Sequence, residues 1–295
     1  MAKYGHWTTG QLEALMNTLG EENALALLRG EKAVEFRDVI SALFDRNGRR
    51  IPRNLENAVR DANPDFRLEQ PAITYGERLA RIGEHLQITM TVSAAEFEDR
   101  CQKLLERLSK DEQSGNVVNG IHLPICIPQT IISDYGQTLD EVYLEAVGRS
   151  YEAQFRGRNF NNYRKGNLAK QVTIVPGATR HEQLVTAMSK SPVLGIYFPN
   201  PLQGFSVHAQ REQMSTLPEI FLLSGGFDTA TAMVAYPDVM ARDFNTPGLD
   251  MVALQWQGPS RSLCLVARDD RLLFSGGADL GLASVYFSGG LFVLG

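Results

Sequence analysis

The 295 residues include only three cysteines and two tryptophans, and Cys101, Cys126 and Cys264 lie far apart in the chain. An odd, scattered set excludes a disulfide framework. Each thiol has apolar neighbours (Leu104, Ile125, Leu265), where cysteine packs as a small buried hydrophobe. Cys-x-x-Cys is missing, so no structural zinc site is expected. No stretch approaches the ~18 apolar residues of a membrane span. The polar opening Met1–Trp7 lacks the apolar core, roughly 7–15 residues, of a secretory signal. These absences lead to the expectation of a soluble protein in a reducing, cytoplasmic compartment. Gly-Lys is absent, which excludes a P-loop. Gly-x-Gly-x-x-Gly, Gly-x-Ser-x-Gly and His-Glu-x-x-His are absent too, so no dinucleotide fingerprint, nucleophile elbow or zincin helix is expected. No cofactor and no metal follow from the sequence.

What is present is ordinary in bulk. Hydrophobic residues make up 43% and charged residues 21%, which excludes a disordered chain. The formal net charge is −5, but it is unevenly spread. Residues 1–115 carry 16 basic and 19 acidic groups, and residues 116–145 carry four acids and no base. Residues 146–170 then hold six bases against Glu152 alone, and residues 171–295 return to 7 bases and 10 acids. Arginine outnumbers lysine 22 to 7. Arginine makes forked, planar contacts that lysine cannot.

The first third reads as helices. Thr8-x-x-Gln11 is a capping box, and Leu12, Leu15, Met16 and Leu19 follow at helical spacing. Gly20 is a natural stop, and Glu21 and Glu22 open a second short helix carrying Leu25 and Leu28. The turn formers Asn47-Gly48, Pro52, Asn63-Pro64 and Pro71 predict a loop-rich stretch with one short helix near 54–61. Thr74-x-x-Glu77 and Ser93-x-x-Glu96 cap further helices. The second has a clean stripe of Phe97, Cys101, Leu104, Leu105 and Leu108.

The polar stretch 110–120 is the expected boundary between a helical domain, residues 1–112, and a mixed α/β domain, residues 118–295. Beyond it, strands are expected at 121–127, 171–175, 193–198 and 219–223. Helices opened by Thr138, Thr179 and Asp228, and one at 207–215, are expected between them. The last 45 residues read as strands 251–256 and 263–267, a turn at Arg268-Asp269-Asp270-Arg271, a returning arm at 272–274, and a final strand at 291–294. Ser-Gly-Gly at 224–226, 275–277 and 288–290 reads as turn punctuation. The fold class is α+β: a helical N-terminal part followed by a mixed α/β part ending in antiparallel hairpins.

Two features carry chemistry. Residues 149–165 interleave Arg149, Arg156, Arg158, Arg164 and Lys165 with Tyr151, Phe155, Phe160 and Tyr163. Cations on phosphates and rings on bases hold single-stranded nucleic acid, so Arg149, Arg156, Arg158, Tyr163, Arg164 and Lys165 are the candidate contacts to nucleic acid or a protein partner. The plainer account is a helix end, where cations answer the dipole and rings pack inward. The second feature is the acidic series Asp228, Asp238, Asp243 and Asp250, which with His208 has the residue types of a small-molecule hydrolase. Caps and turns account for the same aspartates: Asp228 is placed as an N-cap, and Asp243 and Asp250 flank the turn Asn245-Thr246-Pro247-Gly248. His122-x-x-x-Cys126 is the one His/Cys pair close in sequence, and packing explains it as well.

Two stretches resemble a group of uncharacterised bacterial proteins from small, streamlined genomes. Leu12–Glu31 is similar to their N-terminal segment, with Leu19-Gly20-Glu21-Glu22 followed by Leu27-Leu28-Arg29-Gly30-Glu31. Residues 197–204, 210–214 and 217–219 resemble their C-terminal region. The resemblance implies a bacterial cytoplasmic protein and transfers no mechanism. Taken together, the residues lead to the expectation of a non-enzymatic binding or interaction protein, with the hydrolase as the alternative.

Overall fold

The computed structural model describes residue 13 and residues 16–33, 41–257 and 261–295, apart from the side chains of residues 277 and 278. The chain is α+β. It divides into two compact units, Met1–Ser41 and Ala42–Gly295. In the first, α1 (Glu21–Leu28) follows Gly20, whose φ of 76° suits glycine. The Thr8 capping box and positions Leu12 and Leu15 lie outside the described residues.

The second unit begins with a loop that pairs Phe44 with Arg50 and Val59 with Phe205 in isolated bridges. The short helix expected near 54–61 does not form. Its N–H groups have other partners: those of Glu56 and Asn57 donate to Glu212, and that of Arg60 donates to the Gly204 carbonyl. Two helices follow, α2 (Tyr75–Leu86) and α3 (Ala94–Ser109). Ser93 caps α3 by accepting from the Glu96 N–H at 3.2 Å, and Phe97, Cys101, Leu104 and Leu108 are its buried stripe. Burial pushes the Cys101, Cys126 and Cys264 thiols up to about 12, so all three are inert packing groups.

Residues 110–120 are not the limit between the units. They run through a 3-10 turn, Gly115–Asn119, inside the second unit. The physical reason is the stripe on α3: its buried face belongs to the same apolar cluster as Cys126, Leu194 and Ile196 of the strands that follow.

Those strands are β1 (Leu123–Ile127), β2 (Asn159–Asn162), β3 (Val172–Ile174) and β4 (Val193–Phe198). Between β1 and β2 run α4 (Tyr135–Thr138), a π-helical stretch at Leu139–Leu144, and α5 (Glu145–Gln154). α6 (His181–Met188) precedes β4 and α7 (Val207–Gln213) follows it. Then come β5 (Phe221–Leu223), α8 (Gly226–Ala235), α9 (Pro237–Met240), β6 (Gly248–Asp250), β7 (Leu254–Trp256), β8 (Arg261–Ala267), β9 (Arg271–Asp279), β10 (Phe287–Gly289) and β11 (Leu291–Leu294).

One sheet has the order β1-β4-β11-β5, antiparallel throughout. β1 and β4 are buried along their whole length, which explains their unbroken apolar runs. The second sheet has the order β10-β6-β8-β9-β2, with β10/β6 and β2/β9 parallel. β3 and β7 form a separate antiparallel pair. The β8–β9 hairpin expected around residues 268–271 is closed by the Arg268 N–H on the Arg271 carbonyl at 2.8 Å.

The Ser-Gly-Gly repeats are not uniform turns. The first opens α8, the second lies inside β9, and the third spans β10 and its exit. At Gly276 a Cβ would meet the Trp256 ring at 2.5 Å, so close packing rather than a turn calls for glycine.

Candidate ligand-binding cleft

The basic segment is the end of α5, a turn, and the edge strand β2. Four of its six candidate contacts are occupied within the fold. Arg149 donates through Nε and Nη2 to the His85 carbonyl at 3.0 and 2.7 Å. Arg158 donates to the Arg242 carbonyl at 2.6 Å and stacks 4.5 Å from the Phe155 ring centre. Arg164 lies 4.3 Å from the centre of the Trp256 ring, and Lys165 pairs with Glu145 at 2.7 Å. Arg156 and Tyr163 are exposed. Asp140, buried on the π-helical stretch, accepts from Asn162 Nδ2 at 2.8 Å and the Gly166 N–H at 2.6 Å, which pins the turn down.

The same use of arginine recurs across the fold. Arg180 donates to the carbonyls of Met214, Leu217, Pro218 and Phe221, all between 2.6 and 3.2 Å. Arg211 holds the Val252 and Leu254 carbonyls, and Arg81 holds those of Ser150 and Val234. A rigid fork of donors suits such clustered acceptors, and this explains the excess of arginine over lysine.

The acidic series is dispersed. Asp228 is buried at the start of α8, three residues past Gly225, whose N–H it accepts at 2.9 Å; it is therefore inside the helix rather than its N-cap. Asp238 pairs with Arg78 at 3.0 Å. Asp243 pairs with Arg242 at 2.8 Å and accepts from the Asn245 N–H. Asp250 is buried beside Ser262, 3.4 Å away, and burial pushes its carboxyl up to about 7. His208 is exposed. Among the described residues, these five side chains share no common partner. His122 Nδ1 sits 2.9 Å from the Gly120 carbonyl, and among the described residues no group of three His, Cys, Asp or Glu side chains is placed to hold a metal.

A histidine that the sequence did not single out is buried instead. His181 Nδ1 faces the Leu223 carbonyl at 3.2 Å, and its Nε2 faces the Tyr135 hydroxyl at 2.9 Å. A carbonyl only accepts, so Nδ1 carries the proton. Tyr135 then donates to Nε2 while accepting the Gly226 N–H at 2.8 Å. Burial lowers the His181 pKa and keeps the ring neutral. A Cβ on Gly225 would fall on the ring itself, so the cluster is close-packed and holds the start of α8 rather than a ligand.

Open, ring-lined space lies elsewhere. A cavity of about 400 Å³ is lined by Phe66, Phe244, Tyr286 and Phe287, with Asn63, Asp65, Asn245, Thr246 and Arg268 among its polar groups. Four segments distant in sequence build it. Asn63 folds the first by accepting the Asp65 N–H at 2.9 Å on its side chain and the Phe66 N–H at 3.2 Å on its carbonyl. Asp243 folds the second, accepting from Asn245 and Thr246. The third, residues 284–287, is tied to β6 by the Gly248 N–H on the Tyr286 carbonyl at 2.8 Å. The β8–β9 turn supplies Arg268.

Gln203 connects two of these segments. Its buried amide donates to the Phe66 carbonyl at 3.2 Å and the Val285 carbonyl at 3.1 Å. The rings then meet around Phe66, which is 7% exposed. Phe244 approaches it edge-on at 5.7 Å and Tyr286 at 4.8 Å. Phe244 and Tyr286 stay 44% and 51% exposed, so part of each ring is open to an occupant. Arg268 lies 5.3 Å from the Phe244 ring centre. Among the described residues its guanidinium has no hydrogen bond and no ion pair.

No protein family, curated protein or solved structure matches the chain. The chemistry of the cleft is that of its own side chains. Rings, amides and one guanidinium stack, hydrogen-bond and attract negative charge. The lining has neither histidine nor cysteine, and Asp65 is its one carboxylate. Nothing local in the sequence marks it: residues 63–64, 245–248 and 268 read as ordinary turns, 284–287 carry no signal of their own, and the four segments meet only in the fold.

Proposed function

We propose that this chain is a binding protein for a small, ring-bearing ligand, held in the cleft of Phe66, Phe244, Tyr286 and Arg268. The observation that carries this reading is the pair of half-exposed rings, Phe244 and Tyr286, braced on one buried ring beside an exposed cation, Arg268, that stacks on Phe244 and has no hydrogen bond or ion pair among the described residues. Exposed ring surface is unfavourable in water, and an occupant stacked on it would cover it. The size of the cavity fits a single ring with substituents. The 149–165 segment supports a binding role less well, because a phosphate would have to displace contacts that Arg149, Arg158, Arg164 and Lys165 already make.

A bacterial cytoplasmic setting goes with this proposal. Three free, buried thiols fit a reducing compartment. Among the described residues, no helix is long and apolar enough to cross a membrane.

Ligand-observed NMR with indole, adenosine and methyl glucoside tests the binding role. At least one probe should bind the native chain and lose its signal with Tyr286→Ala, a change at a half-exposed side chain that leaves the fold intact. If every probe behaves identically with the native chain and the variant, the cleft is not a binding site.

A further inference from the structure

The ring-lined cleft does not stand alone. A second cavity of about 430 Å³ shares Asn63 and Phe66 with it and lies against the same 62–68 turn. Its chemistry differs. Besides the shared residues, its lining includes Asn47, Asn200, Gln203 and Arg67. One space therefore offers ring faces and the other offers amides and a cation. A ligand matched to both has a flat ring at one end and a hydroxylated, anionic portion at the other.

The cations that line the two cavities add to this. Arg81, Arg149, Arg180 and Arg211 are all engaged with backbone carbonyls. Arg67 and Arg268 are both exposed, and among the described residues neither guanidinium has a hydrogen bond or an ion pair. Arg67 lines the second cavity and Arg268 the first. A free guanidinium fork is well suited to a phosphate, which it grips through two parallel N–H···O bonds. Bases stack on aromatic rings and on guanidinium planes, and their edges are read by amides such as those of Asn63 and Asn245. The buried Gln203 amide holds the 62–68 turn against the Tyr286 loop, so the joined site is pre-organised.

We infer that the ligand is a nucleotide, laid across the 62–68 turn with its base among Phe66, Phe244 and Tyr286 and its phosphate on Arg67. This rests on the binding role proposed for the ring-lined cleft and adds the ligand class. A neutral sugar would use the rings and the amides but would leave the cations without a partner.

Isothermal titration calorimetry on the full chain separates the two levels. The probes are the four ribonucleoside 5′-monophosphates, the four nucleosides, inorganic phosphate and methyl glucoside. At least one monophosphate should bind roughly tenfold tighter than its nucleoside, since a charge-assisted phosphate contact is of that size. Arg67→Ala should erase that ratio and leave the nucleoside affinity unchanged. Tyr286→Ala should weaken nucleoside and nucleotide alike. Equal affinity for nucleoside and monophosphate, or a ratio untouched by Arg67→Ala, would overturn the nucleotide assignment. Binding of methyl glucoside alone, sensitive to Tyr286→Ala, would also overturn it while leaving the binding role intact. If no probe responds to Tyr286→Ala, both fail. Arg67 is exposed and has no hydrogen bond or ion pair among the described residues, and the unfolding midpoint of Arg67→Ala, expected within a few degrees of native, keeps a folding defect distinct from a lost phosphate contact.

Discussion

An arginine whose two terminal nitrogens both donate to carbonyl oxygens is a structural part, and Arg180 is the clearest instance. Four carbonyls from residues 214–221 converge on it. A lysine has the charge but not the fork, so Arg180→Lys should cost about 2–3 kcal/mol by leaving carbonyls unpaired. Urea unfolding measures this; an unchanged midpoint would mean that water replaces the guanidinium at no cost. Asp250 is the residue that links stability to pH. Its folded carboxyl is held near 7 by burial, against an ordinary value of 3.8. The folded state therefore favours the neutral acid. The associated stability is complete below about 4 and is lost as pH rises towards 7, because the unfolded chain ionises first. Asp250→Asn removes this loss. The stability of the variant relative to the native chain should rise between pH 4 and pH 7 by up to about 4 kcal/mol and then level off. A difference that stays flat with pH would show that the native carboxyl is already ionised in the folded protein.

Elements differ in how far the sequence revealed them, and the reason is the range of the forces that set them. α3 follows from its stripe and the Ser93 cap, both local, and β4 occupies the same residues, 193–198, that its apolar run marked. The segment 54–61 went the other way, since Glu212 and Gly204 from distant loops supply partners for its N–H groups. β6 was invisible: three residues between two turns, recruited by β8 and β10. β11 was expected as a final strand, but its central place was not legible. It lies between β4 and β5, so the last residues of the chain complete the first sheet. Ending the chain at Gly290 should therefore expose both neighbours and abolish cooperative thermal unfolding. A truncated chain with a sharp transition near the native midpoint would show that β4 and β5 close up without it.

At the scale of the whole molecule, the excess positive charge of residues 146–170 is mostly consumed in holding α5, β2 and the following turn together. Arg156 and Lys170 are exposed and, among the described residues, their side chains have no hydrogen bond or ion pair; Arg156→Glu should leave unfolding within about 0.5 kcal/mol of native. Arg158→Glu breaks the bond to the Arg242 carbonyl and the stack on Phe155, and should cost about 1–3 kcal/mol in the same urea titration. Equal effects of the two changes would return the segment to the status of an open surface. The cleft could not be read from any one stretch, because it is assembled from turns more than two hundred residues apart. Asn63-Pro64, Asn245-Thr246-Pro247-Gly248 and Arg268 were visible as turn chemistry; that their rings and cation converge is a property of the fold.

Hydrogen–deuterium exchange with and without a saturating ring probe, the tightest of the nucleosides and monophosphates, tests the central claim most directly. Exchange should slow in residues 62–68, 243–248 and 284–287 and remain unchanged in 149–165. Protection confined to 149–165, or no protection in the three cleft segments, would contradict the assignment of the ligand to this cleft.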